Sequence, residues 1–188
     1  MLNDGPDGAA GDRAQDKLPS TPLRLVALEV EQHVADEGWD QPPRLFALVP
    51  TRVLAEREPS LADQLAVSLR DNPDGLTPIE QEGLPSAPSF EEALLGIEWP
   101  DVVVGSAVVL ERIMLPPEAQ DDLPEDPDAL AQHVAEHPDR RDVRLVAAVT
   151  RDGSAHSMVR GRTQGQGELL ESPDLVPGLV AQLLRTLT

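Results

Sequence analysis

The chain of 188 residues carries 34 acidic residues against 15 basic ones, a formal net charge of -19, and contains no cysteine. Such an acidic surface repels nucleic acid and anionic membranes, and the lack of thiols excludes disulfides, thiolate catalysis, iron–sulfur clusters and thiolate zinc sites together. The length suits one core of ordinary size and is short for two.

Apolar residues make up 40% of the chain, but with two Trp, two Phe and no Tyr the core has to be built from Leu, Val and Ala. Few rings are then left as stacking platforms for bases or sugars. No stretch reaches the roughly 18 to 20 apolar residues that span a bilayer. The opening MLNDGPDGAAGDRAQDKLPS lacks the basic and apolar regions of a secretory signal, so a cytoplasmic protein with neither nucleic-acid nor membrane partners is expected. One Lys beside fourteen Arg fits the coding bias of a GC-rich genome.

Residues 1–20 are rich in Gly, Asp and Pro and read as a disordered acidic tail, followed by a single domain over 21–188. Thr21-Pro22 is an N-cap and first-turn pair. It opens a helix in which Leu23, Val26, Ala27, Val30 and Val34 recur at the helical period, ending at Gly38. Leu25 and Leu28, on its opposite side, predict a second packing neighbour. RLFALVP, from Arg44 to Pro50, reads as a buried strand bounded by prolines.

Pro59-Ser60 start a second helix with Leu61, Leu65 and Leu69 on one face, terminated by Asn72, Pro73 and Gly75; Asn72 to Pro88 reads as a loop. Ser89 and Glu92 form a capping box for a brief helix ending near Gly96. The run DVVVGSAVVLERIML after Pro100 is the strongest strand signal, and Gly105 within it predicts a bulge or bend between two pieces. From Glu118 to Asp128 six acids occur with no base, and Asp126-Pro127-Asp128 caps a helix carrying Leu130 and Val134.

Arg140 to Arg162 then holds six of the fourteen arginines against Asp142 and Asp152, in a segment that reads as a β-hairpin turning on Asp152-Gly153 as a type I′ pair. Ser172-Pro173 opens a last helix whose first turn Pro177 delays. No internal repeat is visible. The order predicts an α+β fold: an antiparallel sheet of four to five strands with helices packed mainly on one face.

The hairpin is the leading candidate site. In the register set by a two-residue turn, Arg151 pairs with Ser154, Val149 faces His156, Ala147 faces Met158, Leu145 faces Arg160 and Val143 faces Arg162. One face then bears His156, Arg160 and Arg162, with Arg144 and Arg151 nearby: a partner-docking or anion-binding surface, since Arg presents a planar fork of donors. The plainer alternative is that these arginines pair with the protein's own acids, for instance those between Glu118 and Asp128.

His133, Glu136 and His137 match the H-x-x-E-H pattern of inverted zinc peptidases. Two histidines four apart share a helix face and could hold zinc beside a glutamate base, although Pro138 follows at once and a third ligand would have to come from Glu168 or Glu171. His33, with Glu29 and Glu37 around it, reads as a flank of the core. Gly161, Gly165 and Gly167 suggest a phosphate loop beside Arg160 and Arg162 but lack the Walker lysine, so a flexible connection is expected. Trp39 and Trp99 are expected as buried plugs; exposure would make them partner hot spots.

Three segments, ALEVEQHVADEGWDQPPRLFALVPT, WPDVVVGSAVVLERIMLPPEA and HPDRRDVRLVAAVTRDGSAHSMVRGR, resemble a small family of uncharacterised actinobacterial proteins across most of Leu23 to Leu187. The resemblance implies a cytoplasmic single-domain α+β protein and no catalytic residues. In architecture alone the chain is similar to acidic secretion-chaperone-like domains, which dimerise to bind a client segment, although it inserts helices between its first two strands. A homodimer is a candidate assembly on that likeness.

The function these observations favour is a non-enzymatic interaction module, adaptor-like or chaperone-like, that docks an unidentified protein through the arginine hairpin and needs no cofactor. The alternatives are a metal-dependent hydrolase at His133, Glu136 and His137, and a sensor of a small anion at the arginines.

Overall fold

The computed structural model describes residues 18–82, 89–115, 119, 123–163 and 167–188. Most of the expected acidic tail lies outside them, as do parts of the acidic run after Glu118 and Gly165. The fold is α+β. Among the described residues one antiparallel sheet of six strands runs β2-β1-β3-β4-β5-β6, one strand more than expected.

Helix α1 spans Pro22–Asp36, and the Thr21 hydroxyl accepts the Arg24 amide as foreseen from the cap pair. Its stripe of Leu23, Val26, Ala27, Val30 and Val34 is buried, whereas Leu25 is exposed and Leu28 only joins the rim of the same core. A second packing neighbour is therefore absent at Leu25. β1 (Arg44–Pro50) matches the sequence reading to the residue. α2 (Thr51–Arg57) follows it directly, and a single 3-10 turn, Pro59–Leu61, leads into α3 (Ala62–Asp71).

Part of the segment read as a loop pairs as β2 (Leu76–Glu80), with Pro78 opposite Leu48. Proline is tolerated there because the strand is an edge and its far side needs no donor. α4 (Phe90–Leu95) starts where Ser89 accepts the Glu92 amide. β3 is a single strand, Gly105–Met114, so Gly105 opens it instead of kinking it. A Cβ at Gly105 would run into the Val149 carbonyl oxygen and press on Leu48 and Thr150; glycine is there to let three strands approach.

α5 (Pro127–Glu136) is capped by Asp126 through the Ala129 amide. β4 (Arg141–Thr150) and β5 (Ala155–Gly161) form the hairpin, β6 (Leu169–Ser172) adds the second edge, and α6 (Pro177–Thr186) begins at Pro177.

Alternation along the strands divides the apolar residues between two faces. Phe46, Leu48, Ala107, Val109, Val146, Ala148 and Met158 pack under α1. On the opposite face Leu45, Val108, Leu110, Ala147 and Val149 pack against Leu94 of α4 and Leu183 of α6. The helices thus cover both faces, α1 alone on one and α4 with α6 on the other. The two strands unseen in the sequence, β2 and β6, are the short edges of this sheet. Among the described residues no helix is long and apolar enough to cross a membrane.

Gly105→Ala is expected to lower unfolding stability by about 1–3 kcal/mol in urea titrations, the usual cost of an overpacked core. Gly161→Ala, where a Cβ meets nothing within 4 Å, is expected to change it little.

Candidate functional site

The hairpin turns on three residues rather than two. The Thr150 amide donates to the Ser154 carbonyl and the Gly153 amide to the Thr150 carbonyl. Gly153 has a φ of +86°, and Asp152 is not among the residues with positive φ. A type I turn closed by a left-handed glycine, the common three-residue hairpin loop, fits these bonds; a type I′ pair would need positive φ at both positions.

The register moves by one residue as a result. Arg160 faces Arg144 instead of Leu145, His156 faces Ala148 instead of Val149, Met158 faces Val146, and Val143 faces Gly161 instead of Arg162. Arg144, Arg160 and His156 therefore share the face that α1 covers. Two guanidiniums beneath a helix need internal partners, and each finds them.

Arg160 places Nε and Nη2 on the two carboxylate oxygens of Glu31 at 2.6 and 2.7 Å, and Nη1 on the Gly167 carbonyl at 2.9 Å. Arg144 is 1% exposed. It donates Nη2 to the Gly38 carbonyl and, at 2.9 Å, to Glu111, and lies 4.6 Å from the centre of the Trp39 ring. Its buried Nε has no hydrogen-bond partner among the described residues.

His156 is 6% exposed, with Nε2 3.1 Å from Glu171. Glu171 is also clamped by Arg24 of α1 at 2.5 and 2.8 Å. Arg162, 40% exposed, grips Asp40 at 2.8 and 2.9 Å. Arg151 at the turn donates to the carbonyls of Val103, Trp99 and Leu187, tying the hairpin tip to the C-terminal end of α6.

Several acids of the run from Glu118 lie outside the described residues. The acids that meet Arg144, Arg160 and Arg162 are Glu111, Glu31, and Asp40 with Asp142, while Glu171 meets Arg24 and His156. One of them was legible: Glu31 interrupts the apolar stripe of α1 between Ala27 and Val34, and an acid at such a position needs a buried cation. Asp40 lies on a loop, Glu171 on an edge strand and Glu111 near the end of β3, none of them marked by a periodic signal. Trp39 is half-buried beneath Arg144, with Arg162 5.5 Å from its ring centre. Trp99 is half-buried between two core clusters and donates Nε1 to Thr186 at 3.0 Å.

Electrostatics follow from these contacts. Burial holds the His156 imidazole below its ordinary range, opposed by the Glu171 hydrogen bond and charge and reinforced by Arg24. The Arg24 guanidinium, with help from His156, keeps the Glu171 carboxyl below the usual carboxylate range. Arg162 does the same for Asp40 and Arg44 for Glu80.

A cleft of about 700 Å³ opens where the start of α1 meets the hairpin tip. Leu18, Pro22, Leu23, Leu76 and Val104 supply apolar wall, and Arg24, Arg151 and His156 stand among its polar groups. Mostly apolar concavities with few polar groups are the usual form of small-molecule sites.

At the other candidate, His133 lies within α5 while His137 is already its extended C-cap, and the two rings are 5.5 Å apart. His137 Nδ1 accepts the Asp139 amide. Among the described residues no group of three or more His, Cys, Asp or Glu is placed to hold a metal ion. Glu171, one of the two acids considered as a third ligand, is held instead by Arg24 and His156.

A family model described as PPA1309-like protein matches residues 23–188, from the first turn of α1 to the C-terminal residue, and the chain belongs to that family. No curated protein and no solved structure matches it.

Glu31→Ala leaves Arg160 without its carboxylate and is expected to destabilise the fold by about 3–5 kcal/mol in urea titrations. Asp40→Ala, at an exposed pair, is expected to leave the midpoint close to wild type.

Stability is also expected to fall with acid in two stages. Because the folded His156 pKa lies below its unfolded value of 6.5, the unfolded chain takes up the proton first. Its contribution is present above about pH 6.5 and lost as the pH drops toward the folded pKa. Glu171, lowered from 4.5, and Asp40, lowered from 3.8, keep their contributions above those values and lose them as the pH falls further. His156→Gln is expected to remove the first stage alone, read as urea midpoint against pH.

Proposed function

We propose that this PPA1309-like protein is a non-enzymatic binding module, and that its recognition site is the cleft at the tip of the arginine hairpin. The observation that carries this reading is the cleft itself: a concavity of about 700 Å³ with largely apolar walls between α1 and the hairpin turn. Folds of this size rarely leave so much apolar concavity without an occupant.

A binding role is favoured over catalysis by how the charged groups are used. Arg24, Arg144, Arg160 and Arg162 are each committed to a carboxylate of the same chain, so they stabilise the fold and are not poised for a substrate. Docking on the arginine face, the broader expectation from the sequence, narrows here to the turn and the cleft beside it. Arg144, Arg160 and His156 are covered by α1, while Arg151 and Ser154 remain open at the rim.

The test uses 1-aminoanthracene, a neutral fluorescent probe of apolar sites. Wild-type protein is expected to bind it saturably at one site. Ser154→Trp, which places an indole over the mouth of the cleft from an exposed turn position, is expected to weaken binding by about tenfold or more, about 1.4 kcal/mol, with an unchanged melting temperature. Unsaturable fluorescence, or equal affinity in the variant, would contradict the reading.

A further inference from the structure

We propose that the cleft takes a small neutral molecule with an apolar body and a single hydrogen-bond donor, an N–H or O–H, which is received by Nδ1 of His156. This rests on the cleft being the binding site and adds the chemical class of its occupant.

Most of the polar groups that line the cleft are already engaged within the protein. Arg24 gives Nε and Nη2 to Glu171. Arg151 gives Nε, Nη1 and Nη2 to three backbone carbonyls. The Asp152 carboxylate accepts the Thr150 hydroxyl at 2.6 Å and the Ser154 amide at 3.0 Å. Arg24 is balanced by Glu171, and each nitrogen of Arg151 already donates to a backbone carbonyl, so a phosphate finds no free guanidinium fork; the Asp152 carboxylate is likewise engaged, and desolvating either kind of ion there is costly.

His156 differs. Its Nε2 faces Glu171 Oε2 at 3.1 Å. Glu171 is ionised, because Arg24 holds its pKa down, and an ionised carboxylate only accepts. The ring proton therefore sits on Nε2. Burial keeps the ring neutral, with Arg24 working in the same direction, and Nδ1 is left as a lone-pair acceptor.

Nδ1 has no partner among the described residues, and the ring borders the cleft. An acceptor that no protein donor meets can exchange a water for a ligand N–H or O–H. The Thr21 hydroxyl accepts the Arg24 amide and the Ser154 hydroxyl bonds Asp152, and most of the remaining wall is aliphatic, from Leu18, Pro22, Leu23, Leu76 and Val104. That wall matches an apolar body, and the volume suits one of one or two rings.

The experiment titrates ¹⁵N-labelled full-length protein, above the histidine range at about pH 7.5, with indole, with 1-methylindole and with 1-naphthoate. Indole and 1-methylindole share a shape and differ in the donor; 1-naphthoate supplies the anion. Indole is expected to perturb the amides of Leu23 and Ala155 and the Nδ1 resonance of His156. It is expected to bind about tenfold more tightly than 1-methylindole, about the upper end of what one net hydrogen bond contributes. In His156→Phe the two indoles should bind alike, while cleft amides still respond to both.

Equal affinity of the two indoles for wild type, a preference that survives in His156→Phe, or tighter binding of 1-naphthoate would each overturn the donor rule while leaving the cleft as a site. No perturbation around the cleft by any of the three would overturn the cleft itself.

Discussion

A carboxylate in the apolar stripe of a helix has to be met by a cation once the helix docks, and in this protein Glu31 of α1, 2% exposed, is met by Arg160 of β5 with two hydrogen bonds. The rest of the α1 face is arranged around that pair. Arg24 reaches from the first turn of α1 to Glu171 on β6, Arg144 gathers Gly38 and Glu111 over the Trp39 ring, and Arg44 on β1 joins Glu37 and Glu80. A chain with so few aromatic residues has limited means of gripping a lone helix by apolar contact. Bidentate pairs at the perimeter add direction to a core of Val, Ala and Leu.

The same arrangement decides what is left for function. A hairpin rich in arginine looks like a basic face offered to a partner, yet Arg144, Arg160 and Arg162 are met by acids from β3, α1 and the loop after α1, and Arg151 is spent on backbone carbonyls. What stays open is the end of the sheet, where the start of α1, the three-residue turn and the loop after β6 diverge and leave an apolar cleft floored by a neutral histidine. Stability and recognition are thus divided along one hairpin: its strands hold α1 down, and its turn borders the site. His156 belongs to both, through Nε2 to Glu171 and through its ring to the cleft.

Much of the fold was legible wherever a local rule carries it. The cap at Thr21, the buried stripe of α1, β1 to the residue, the capping box at Ser89 and the cap at Asp126 follow from side chains within four positions of one another. The missed strands, β2 and β6, are edge strands with little burial, and β2 contains a proline; nothing local marks them, because only the neighbouring strand makes them strands. The hairpin was legible as a hairpin but not in register. Asp-Gly serves a two-residue turn and the end of a three-residue one alike, and the choice between them sets which arginines lie beneath α1. Pairings such as Arg24 with Glu171, 147 residues apart, have no trace in a single sequence.

The central claim is that the Glu31–Arg160 pair is a buried staple of the fold and not a surface ion pair. Its most direct test is a double-mutant cycle on unfolding stability with Glu31→Gln, Arg160→Gln and the double variant. The account predicts a coupling energy of about 2–3 kcal/mol, the upper end for contacting residues, with the double variant far less destabilised than the two single changes together. A coupling below about 0.5 kcal/mol, the scale of an exposed pair, would contradict it and return Arg160 to the surface available to a partner.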